Sequence, residues 1–100
     1  MKKEVKIKNL LKILRSHKKE LEEKFGIIKI KVFGSYVRGK ETSKSDLDII
    51  VEFKEPPGLI KFIEIEEYLS NLLGVKVDLL TEEGISPYIR KYIKKEVIIL

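Results

Sequence analysis

Two aspartates, Asp46 and Asp48, open the apolar run SDLDIIVEF. In a β-strand, residues two positions apart point to the same side, so the two carboxylates share one face while Leu47 and Ile49 share the other. Unpaired carboxylates held side by side repel each other, and burying them is costly. The pattern therefore predicts that a positive group binds between them.

A third aspartate, Asp78, occupies a similar position in the later segment VKVDLL. The same alternation places Asp78 on the face opposite Val75, Val77 and Leu79. If this strand neighbours the one that carries Asp48, three carboxylates converge on one side of the sheet. A site of carboxylate oxygens without Cys or His suits a hard cation, and Mg²⁺ is the ion that this site predicts.

A Gly-Ser pair, Gly34 and Ser35, follows the apolar run IIKIKVF. Glycine permits a sharp turn and a close approach of the backbone to a ligand. Ser35 is expected to cap a short helix through YVRG, which would direct backbone N–H groups at an anion. Arg38 could contact a phosphate or pair with Glu41 on the surface, and the sequence does not decide between these two roles.

The periodicity of apolar residues predicts the elements that position these groups. In the first strand, Ile28, Ile30 and Val32 are expected to face the core. His17 lies in the apolar stripe of the first helix and is interpreted as a packing residue. The predicted elements are a helix over 4–24 closed by Gly26, strands over 27–33 and 46–53, a helix over 59–73 closed by Gly74, a strand over 75–80, a helix over 86–95 that begins with Ser86 and Pro87, and an apolar tail over 96–100 packed on the core.

This order predicts an α/β (α+β) fold, with a small mixed β-sheet covered by helices. The helix between the second and third strands allows a parallel crossover, whereas the first two strands are expected to be antiparallel. With 100 residues and 43% hydrophobic content, the chain is expected to form a single domain over residues 1–100.

Composition excludes several classes of protein and site. The chain has no cysteine, which excludes disulfides, zinc–thiolate sites and cysteine nucleophiles. Charged residues make up 37%, and no apolar run approaches the length that spans a membrane, so we expect a cytoplasmic protein with no membrane partner. The first 19 residues contain eight Lys or Arg and one Glu. This basic segment is either a solvated helix face or a surface for a nucleotide, a nucleic acid or an acidic protein.

The motif GS, followed by ten residues and DLD, resembles the signature of the DNA polymerase β-like nucleotidyltransferases. The segments GSYVRG, SDLDIIVEF and VDLL are most similar to the minimal nucleotidyltransferase (MNT) branch, whose members occur as antitoxins beside HEPN toxins. The resemblance extends from residue 28 to residue 100. Val37 stands where such proteins often have Ala, and no residue of the motif is missing.

The resemblance implies a role for each site residue. Gly34 and Ser35 would hold the triphosphate of ATP, with Arg38 as a further phosphate contact. Asp46, Asp48 and Asp78 would ligate Mg²⁺, as two bound ions or as one ion and a second that arrives with substrate. Asp78 would also help to deprotonate the acceptor hydroxyl. The site would be that of the nucleotidyltransferase (polymerase β-like palm) fold.

The same resemblance implies that the protein transfers AMP from ATP to a tyrosine of a HEPN-type ribonuclease toxin and releases pyrophosphate. Two alternatives remain open on the sequence. One is a non-catalytic binding module that neutralises its partner by forming a complex. The other is a nucleotidyltransferase that acts on RNA or on a small molecule; nucleic acid as a partner is not favoured, because no aromatic residues interleave the basic ones.

Overall fold

The structure, a computed structural model, describes residues 3–93 and 96–100, which form five helices and four strands. In chain order these are α1 (Lys3–Ser16), α2 (Lys18–Phe25), β1 (Ile27–Phe33), α3 (Ser35–Arg38), β2 (Leu47–Phe53), α4 (Leu59–Leu73), β3 (Val77–Thr81), α5 (Pro87–Ile93) and β4 (Val97–Ile99).

The four strands form one mixed sheet in the order β3-β2-β1-β4. β1 is antiparallel to both of its neighbours, β2 and β4, whereas β2 and β3 are parallel. The helix α4 connects the two parallel strands, as a parallel connection requires. The predicted mixed α/β architecture is confirmed, and the parallel pair places the starts of β2 and β3 at the same end of the sheet.

One face of the sheet carries the main hydrophobic core. Leu47, Ile49 and Val51 of β2 are all fully buried on this face, as their alternation predicts. They pack against α1, α2 and α4, whose most buried side chains include Leu14 and Leu21. Burying one such side chain contributes about 1.5–3 kcal/mol, and most of the buried apolar side chains belong to this core.

The opposite face of the sheet is partly covered by α5. Ile50 of β2, Ile85 before the helix and Ile93 within it form a second, smaller buried cluster. The helix begins as predicted, with Pro87 at its first position and the Ser86 hydroxyl accepting a hydrogen bond from the Ile89 amide at 3.3 Å. The last two residues of the predicted helix, 94 and 95, lie outside the described residues. This face of the sheet therefore has a small apolar cluster of its own.

The expectation that Ile28 faces the core is wrong. The register between β1 and β2 shifts between Ile27 and Lys29, a β-bulge that places Ile27 in the core and leaves Ile28 44% exposed. A bulge adds one residue to one strand, so side chains before it change face. Ile30 and Val32, which follow the bulge, are buried as predicted.

The predicted first helix is divided at His17 into α1 and α2. The Ser16 hydroxyl donates to the Ile13 carbonyl at 2.8 Å, and the His17 imidazole Nδ1 lies 2.9 Å from the same oxygen. These side chains compete with the helical hydrogen bonds at this point. His17 is partly buried, in agreement with its interpretation as a packing residue. Gly26 and Gly74 close their helices in the left-handed conformation, as expected.

The apolar tail forms a strand, β4, in place of the packed tail predicted from the sequence. It pairs with β1 through residues 97–99, and Ile98 and Leu100 pack against the main core. Among residues 3–93 and 96–100, no helix combines the length and the apolar character that a membrane crossing requires.

Candidate active site

The parallel pairing of β2 and β3 brings two of the predicted aspartates together. Asp48 and Asp78 are direct register partners, with Leu47 opposite Val77 on one side and Ile49 opposite Leu79 on the other. The apolar neighbours are buried in the main core, so the two carboxyls point to the other face, the one that α5 partly covers. Asp46 precedes the first residue of β2 and is half-buried.

The charges of the three carboxyls influence the pKa values of Asp48 and Asp78. Burial raises the pKa of Asp48 to about 6, and the neighbouring charges of Asp78 and Asp46 add to the shift. A hydrogen bond between the carboxyls of Asp48 and Asp78 raises it further, whereas the Arg38 guanidinium acts in the opposite direction. The pKa of Asp78 is also raised, first by burial and then by the charges of Glu66 and Asp46. The protein thus holds a site whose negative charge a cation would stabilise.

Gly34 is fixed beside this pair by its position at the end of β1. Its φ of 92° lies in a region that residues with a side chain rarely adopt. A Cβ atom at this position would overlap the carboxylate of Asp48. From the sequence, Gly34 is expected to leave room for a ligand. The structure adds that the missing side chain leaves room for Asp48 itself.

Ser35 begins the short helix α3, and its predicted role as the cap is wrong. Gly34 is the N-cap, Ser35 is the first helical residue, and no side chain makes a capping hydrogen bond there. The Gly34 carbonyl accepts the first hydrogen bonds of the helix, from the amides of Val37 and Arg38. The Ser35 hydroxyl is therefore not engaged in capping, because the glycine before it occupies that position.

Arg38 faces the aspartates and does not pair with Glu41. The two residues form no ion pair. The Glu41 side chain is buried, at 8% exposure, and its Oε1 atom has no hydrogen-bond partner among the described residues. Arg38 instead lines the hollow that contains Asp48 and Asp78. Of its two predicted roles, the surface pair with Glu41 is excluded, and the phosphate contact stays a prediction.

One hollow of about 410 Å³ brings together five of the six predicted site residues. Its size is in the range of small-molecule sites. A larger hollow of about 510 Å³ lies at the other end of β2 and β3, but it contains none of these residues. We therefore place the candidate active site in the smaller one, which is lined by Phe33, Gly34, Ser35, Arg38, Asp48, Asp78, Leu80 and Ile89.

The sixth residue, Asp46, lines an adjacent hollow. Among the described residues, no group of three or more His, Asp or Glu side chains is close enough to hold a metal ion without adjustment. The donor chemistry nevertheless fits Mg²⁺, because the set is made only of carboxylates, and burial together with neighbouring negative charges raises the pKa of Asp48 and Asp78.

Three apolar residues of the hollow were not predicted as part of the site. Phe33 directly precedes Gly34, and Leu80 lies two positions after Asp78 on the same face of β3, so both could have been found from strand alternation. Ile89 comes from α5, and its approach to the site depends on how that helix packs. A side chain that also influences the site, Glu66, accepts a hydrogen bond from the Leu79 amide at 2.9 Å.

With the fold and the paired carboxyls established, comparison with known proteins identifies the family. Residues 14–100 match the nucleotidyltransferase domain family, and the chain belongs to that family. The predicted enzyme class, a nucleotidyltransferase, is confirmed.

Individual relatives agree with this assignment. The chain is 54% identical over 86 residues to the protein adenylyltransferase MntA of Thermococcus cleftensis, covering 86% of this chain and 87% of the relative. A solved minimal nucleotidyltransferase is 32% identical, with a TM-score of 0.70 and coverage of 100% of this chain and 97% of that one. A mutant of the toxin–antitoxin complex MntA–HpeT is 26% identical, with a TM-score of 0.65 and coverage of 93% of this chain and 69% of the matched chain.

Proposed function

We propose that this protein is an antitoxin that transfers AMP from ATP to a tyrosine hydroxyl of a HEPN-type ribonuclease toxin and releases pyrophosphate. The observation that carries the proposal is the register pairing of Asp48 with Asp78 in the hollow that Gly34 and Ser35 also line. The protein adenylyltransferase relative supports AMP as the transferred group and a protein as the acceptor. The toxin–antitoxin neighbour supports the kind of partner.

The proposed reaction is a displacement at the α-phosphorus of ATP. The acceptor oxygen forms a bond to this phosphorus while the bond to the bridging oxygen breaks, and the electron pair leaves with pyrophosphate. Asp78 accepts the proton of the acceptor hydroxyl. In the metal-free protein, partial burial and the charges of Glu66 and Asp46 raise the pKa of Asp78.

Asp46, Asp48 and Asp78 would hold Mg²⁺, and Gly34, Ser35 and Arg38 would hold the phosphates of ATP. When bound, Mg²⁺ supplies positive charge that stabilises the oxygens on both sides of the reacting phosphorus. Asp48 orients the site by its contact with Asp78, and the room for its carboxylate depends on Gly34.

The acceptor is proposed to be a tyrosine because its hydroxyl is easier to deprotonate than that of an aliphatic alcohol. A phenol has an unperturbed pKa of about 10, so its deprotonation requires a weaker base than that of an aliphatic alcohol does, and the Asp78 carboxylate is a weak base. The Asp78 side chain is only partly desolvated and remains accessible to solvent, which leaves the acceptor side of the hollow accessible to a folded protein. A tyrosine on the surface of a partner could reach it there.

The second candidate function is a module that neutralises its partner by contact alone. It is favoured by an exposed apolar set at the start of α4, where Leu59 is 75%, Ile60 77% and Ile63 49% exposed. Apolar side chains grouped in this way are typical of surfaces that contact another protein. Such a surface also serves an enzyme that must bind its acceptor, so the two functions differ in whether the partner is modified.

The deciding experiment separates the toxin from this protein after they have been incubated together. The toxin is treated with the protein, ATP and Mg²⁺, repurified under denaturing conditions, refolded and assayed for ribonuclease activity. We expect the toxin to remain inactive and to carry AMP on a tyrosine, mapped by peptide mass spectrometry. A toxin treated without ATP is the control for refolding and should recover its activity.

The two candidate functions give opposite results. If the repurified toxin regains full activity after incubation with ATP, neutralisation is by contact alone and the proposed transfer is wrong. If AMP is found on a residue other than tyrosine, the proposed transfer of AMP is correct and the proposed tyrosine acceptor is wrong.

A further inference from the structure

Glu82, the first residue after β3, joins a strand to a helix. Its Oε1 atom lies 3.0 Å from the Lys31 ammonium of β1, and its Oε2 atom lies 3.5 Å from Nη1 of Arg90 in α5. The Arg90 guanidinium also donates a hydrogen bond of 3.3 Å to the Glu82 carbonyl. We call Lys31, Glu82 and Arg90 the Glu82 bridge, because together they connect α5 to the sheet through polar contacts.

The sheet fixes the end of the bridge that Lys31 and Glu82 form. The Glu82 amide donates a hydrogen bond to the Val51 carbonyl at 3.1 Å, which holds this residue against β2. Lys31 pairs with Ile50 of β2 and lies two positions before Phe33, so its side chain takes the face of the sheet that α5 covers. With exposed fractions of 21% and 26%, the side chains of Lys31 and Glu82 are largely shielded from solvent.

Apolar contacts anchor α5 at its two ends. Ile85, two residues before the helix, and Ile93, its last residue, share the smaller buried cluster with Ile50. Between these anchors, Ile89 is 38% exposed and lines the active-site hollow. Anchors at the two ends leave the rotation of the middle turn to other contacts. Arg90 directly follows Ile89, so the bridge acts at that turn.

We propose that Lys31, Glu82 and Arg90 are positioning residues, which hold α5 in the orientation that places Ile89 in the wall of the active-site hollow. This inference rests on the proposed function, since it takes the nucleoside part of ATP to be the group that this wall contacts. The planar guanidinium of Arg90 contacts both the carboxylate and the carbonyl of Glu82. Contacts of one rigid group with two atoms restrain rotation as well as distance.

The rest of the apolar wall does not depend on α5. Phe33 belongs to β1 and Leu80 to β3, so the sheet fixes both side chains. Ile89 is the apolar residue of this hollow that comes from a helix. A change in the orientation of α5 is therefore expected to alter the nucleoside side of the hollow and to leave the carboxylates in place.

Removing the two partners of the bridge separately distinguishes positioning from a direct effect of charge. Arg90→Ala removes a positive charge and Glu82→Ala removes a negative one. A purely electrostatic effect on the ATP polyanion would weaken binding in the first variant and strengthen it in the second. Positioning predicts weaker binding in both, because each variant breaks the contact between α5 and the sheet. Both variants should fold, since partly exposed ion pairs contribute little to stability.

The measurement is titration calorimetry with ATP and with inorganic triphosphate in the presence of Mg²⁺. We expect Arg90→Ala and Glu82→Ala each to weaken ATP binding about three- to tenfold, the range for loss of the Ile89 contact, and to change triphosphate affinity by less than about twofold. Lys91→Ala is the matched control. Lys91 is the next residue of α5, is exposed and belongs to none of the ion pairs among the described residues, so its removal should not weaken ATP binding.

A double-variant cycle tests whether Arg90 acts through Ile89. In an Ile89→Ala background the apolar contact is already lost, so adding Arg90→Ala should change ATP affinity by less than about twofold. Losses that multiply in the double variant would overturn the proposal. Unchanged ATP affinity in Arg90→Ala, tighter ATP binding in Glu82→Ala, or equal losses of ATP and triphosphate affinity would overturn it as well.

Amide hydrogen exchange separates this inference from the proposed function, because it needs no nucleotide. The amides of α5 should lose protection in Arg90→Ala and keep it in Lys91→Ala. Unchanged protection in Arg90→Ala would show that the bridge does not hold the helix. If the wild-type protein binds ATP with the expected dependence on Arg90 but transfers no AMP, the positioning of α5 is correct and the proposed transfer is wrong.

Discussion

Gly34 and Asp48 lie so close together that a single methyl group on the glycine would occupy the space of the Asp48 carboxylate. The contact follows from the register, in which Phe33, the last residue of β1, pairs with Asp48 of β2. Gly34 is therefore coupled to the orientation of a candidate metal ligand. A substitution in the turn is expected to act on the carboxylate as well as on the phosphate of a bound nucleotide.

The first prediction is that Gly34→Ala abolishes most of the activity. The new Cβ displaces the Asp48 carboxylate, and a misplacement of about 1 Å in an active site costs about 100-fold in rate. With φ 92° and ψ −158°, Gly34 lies in a backbone region that residues with a side chain rarely adopt, and the alanine adds strain of about 1–3 kcal/mol to the folded state. Steady-state AMP transfer and a thermal melt of the same preparation measure the two effects.

Gly26→Ala is the control, because it places a side chain at a positive φ without a clash. Gly26 has a φ of 72°, and the nearest atom to its added Cβ is 4.0 Å away, at Lys54. We expect it to lose stability and to retain its activity at a temperature where it is folded. Equal losses of activity in the two variants would refute the coupling between Gly34 and Asp48.

The second prediction concerns the stability of the metal-free protein as a function of pH. The pKa of Asp48 is raised from 3.8 to about 6 in the folded state, so between these values the folded protein binds more protons than the unfolded chain. The contribution of Asp48 is then most favourable below pH 4 and is lost as the pH rises to about 6. With solvent screening included, we expect the loss to be about 1 kcal/mol.

Asp48→Asn removes this loss, since an amide carries no charge at any of these pH values. In the presence of a chelator at pH 7.5, the variant should melt about 4–8 °C above the wild type, and the difference should disappear near pH 4. Melting curves of the wild type and the variant between pH 4 and pH 7.5 test this expectation. A wild type that gains stability between pH 4 and pH 6 relative to the variant would contradict the raised pKa.

The third prediction concerns the outer edge of the sheet, where two side chains of α4 satisfy the backbone of β3. The Glu66 carboxylate accepts a hydrogen bond from the Leu79 amide at 2.9 Å, and the Ser70 hydroxyl accepts one from the Val77 amide at 3.0 Å. Glu66→Ala removes an acceptor and should cost about 1–3 kcal/mol in the free energy of unfolding, measured with urea. Glu66→Gln retains an acceptor oxygen, so it should cost clearly less. If the two variants lose the same stability, the hydrogen bond is not what Glu66 contributes.

The fourth prediction is that Ile89 contacts the nucleoside part of ATP. Ile89 lines the active-site hollow together with Phe33 and Leu80, which form its apolar side. Ile89→Ala should weaken ATP binding about three- to tenfold while leaving the affinity for inorganic triphosphate unchanged. The neighbouring Tyr88→Ala is the control, because Tyr88 is 81% exposed and does not line this hollow. Equal weakening of ATP and triphosphate by Ile89→Ala would place the nucleoside elsewhere.

Strand alternation was sufficient to predict the faces of Asp48 and Asp78, and their convergence followed on the condition that the two strands are neighbours. The parity of Asp48 and Asp78 fixes which face each carboxyl takes, and a helical connection between their strands favours parallel neighbours. Helix ends could be predicted equally well where one residue type determines the geometry, as at Gly26 and Gly74.

Other features depend on choices that one sequence leaves open. Ile27 and Ile28 are both apolar, so nothing local shows which of them faces the core, and the bulge decides it. Residues 97–99 read equally well as a packed tail or as a strand, because their pairing with β1 is a long-range contact. Ile89 reaches the site only because α5 packs on the sheet, with its Ile93 in one cluster with Ile50 of β2.

The most direct test of the proposed transfer is the intact mass of the toxin after incubation with ATP, Mg²⁺ and this protein. The wild-type protein should add one or more AMP units to the toxin and release an equal number of pyrophosphate molecules. The double variant Asp46→Asn, Asp48→Asn should fold, shown by its circular dichroism, and add none. An unmodified toxin with the wild-type protein, or normal AMP transfer by the double variant, would contradict the account of the carboxylate site.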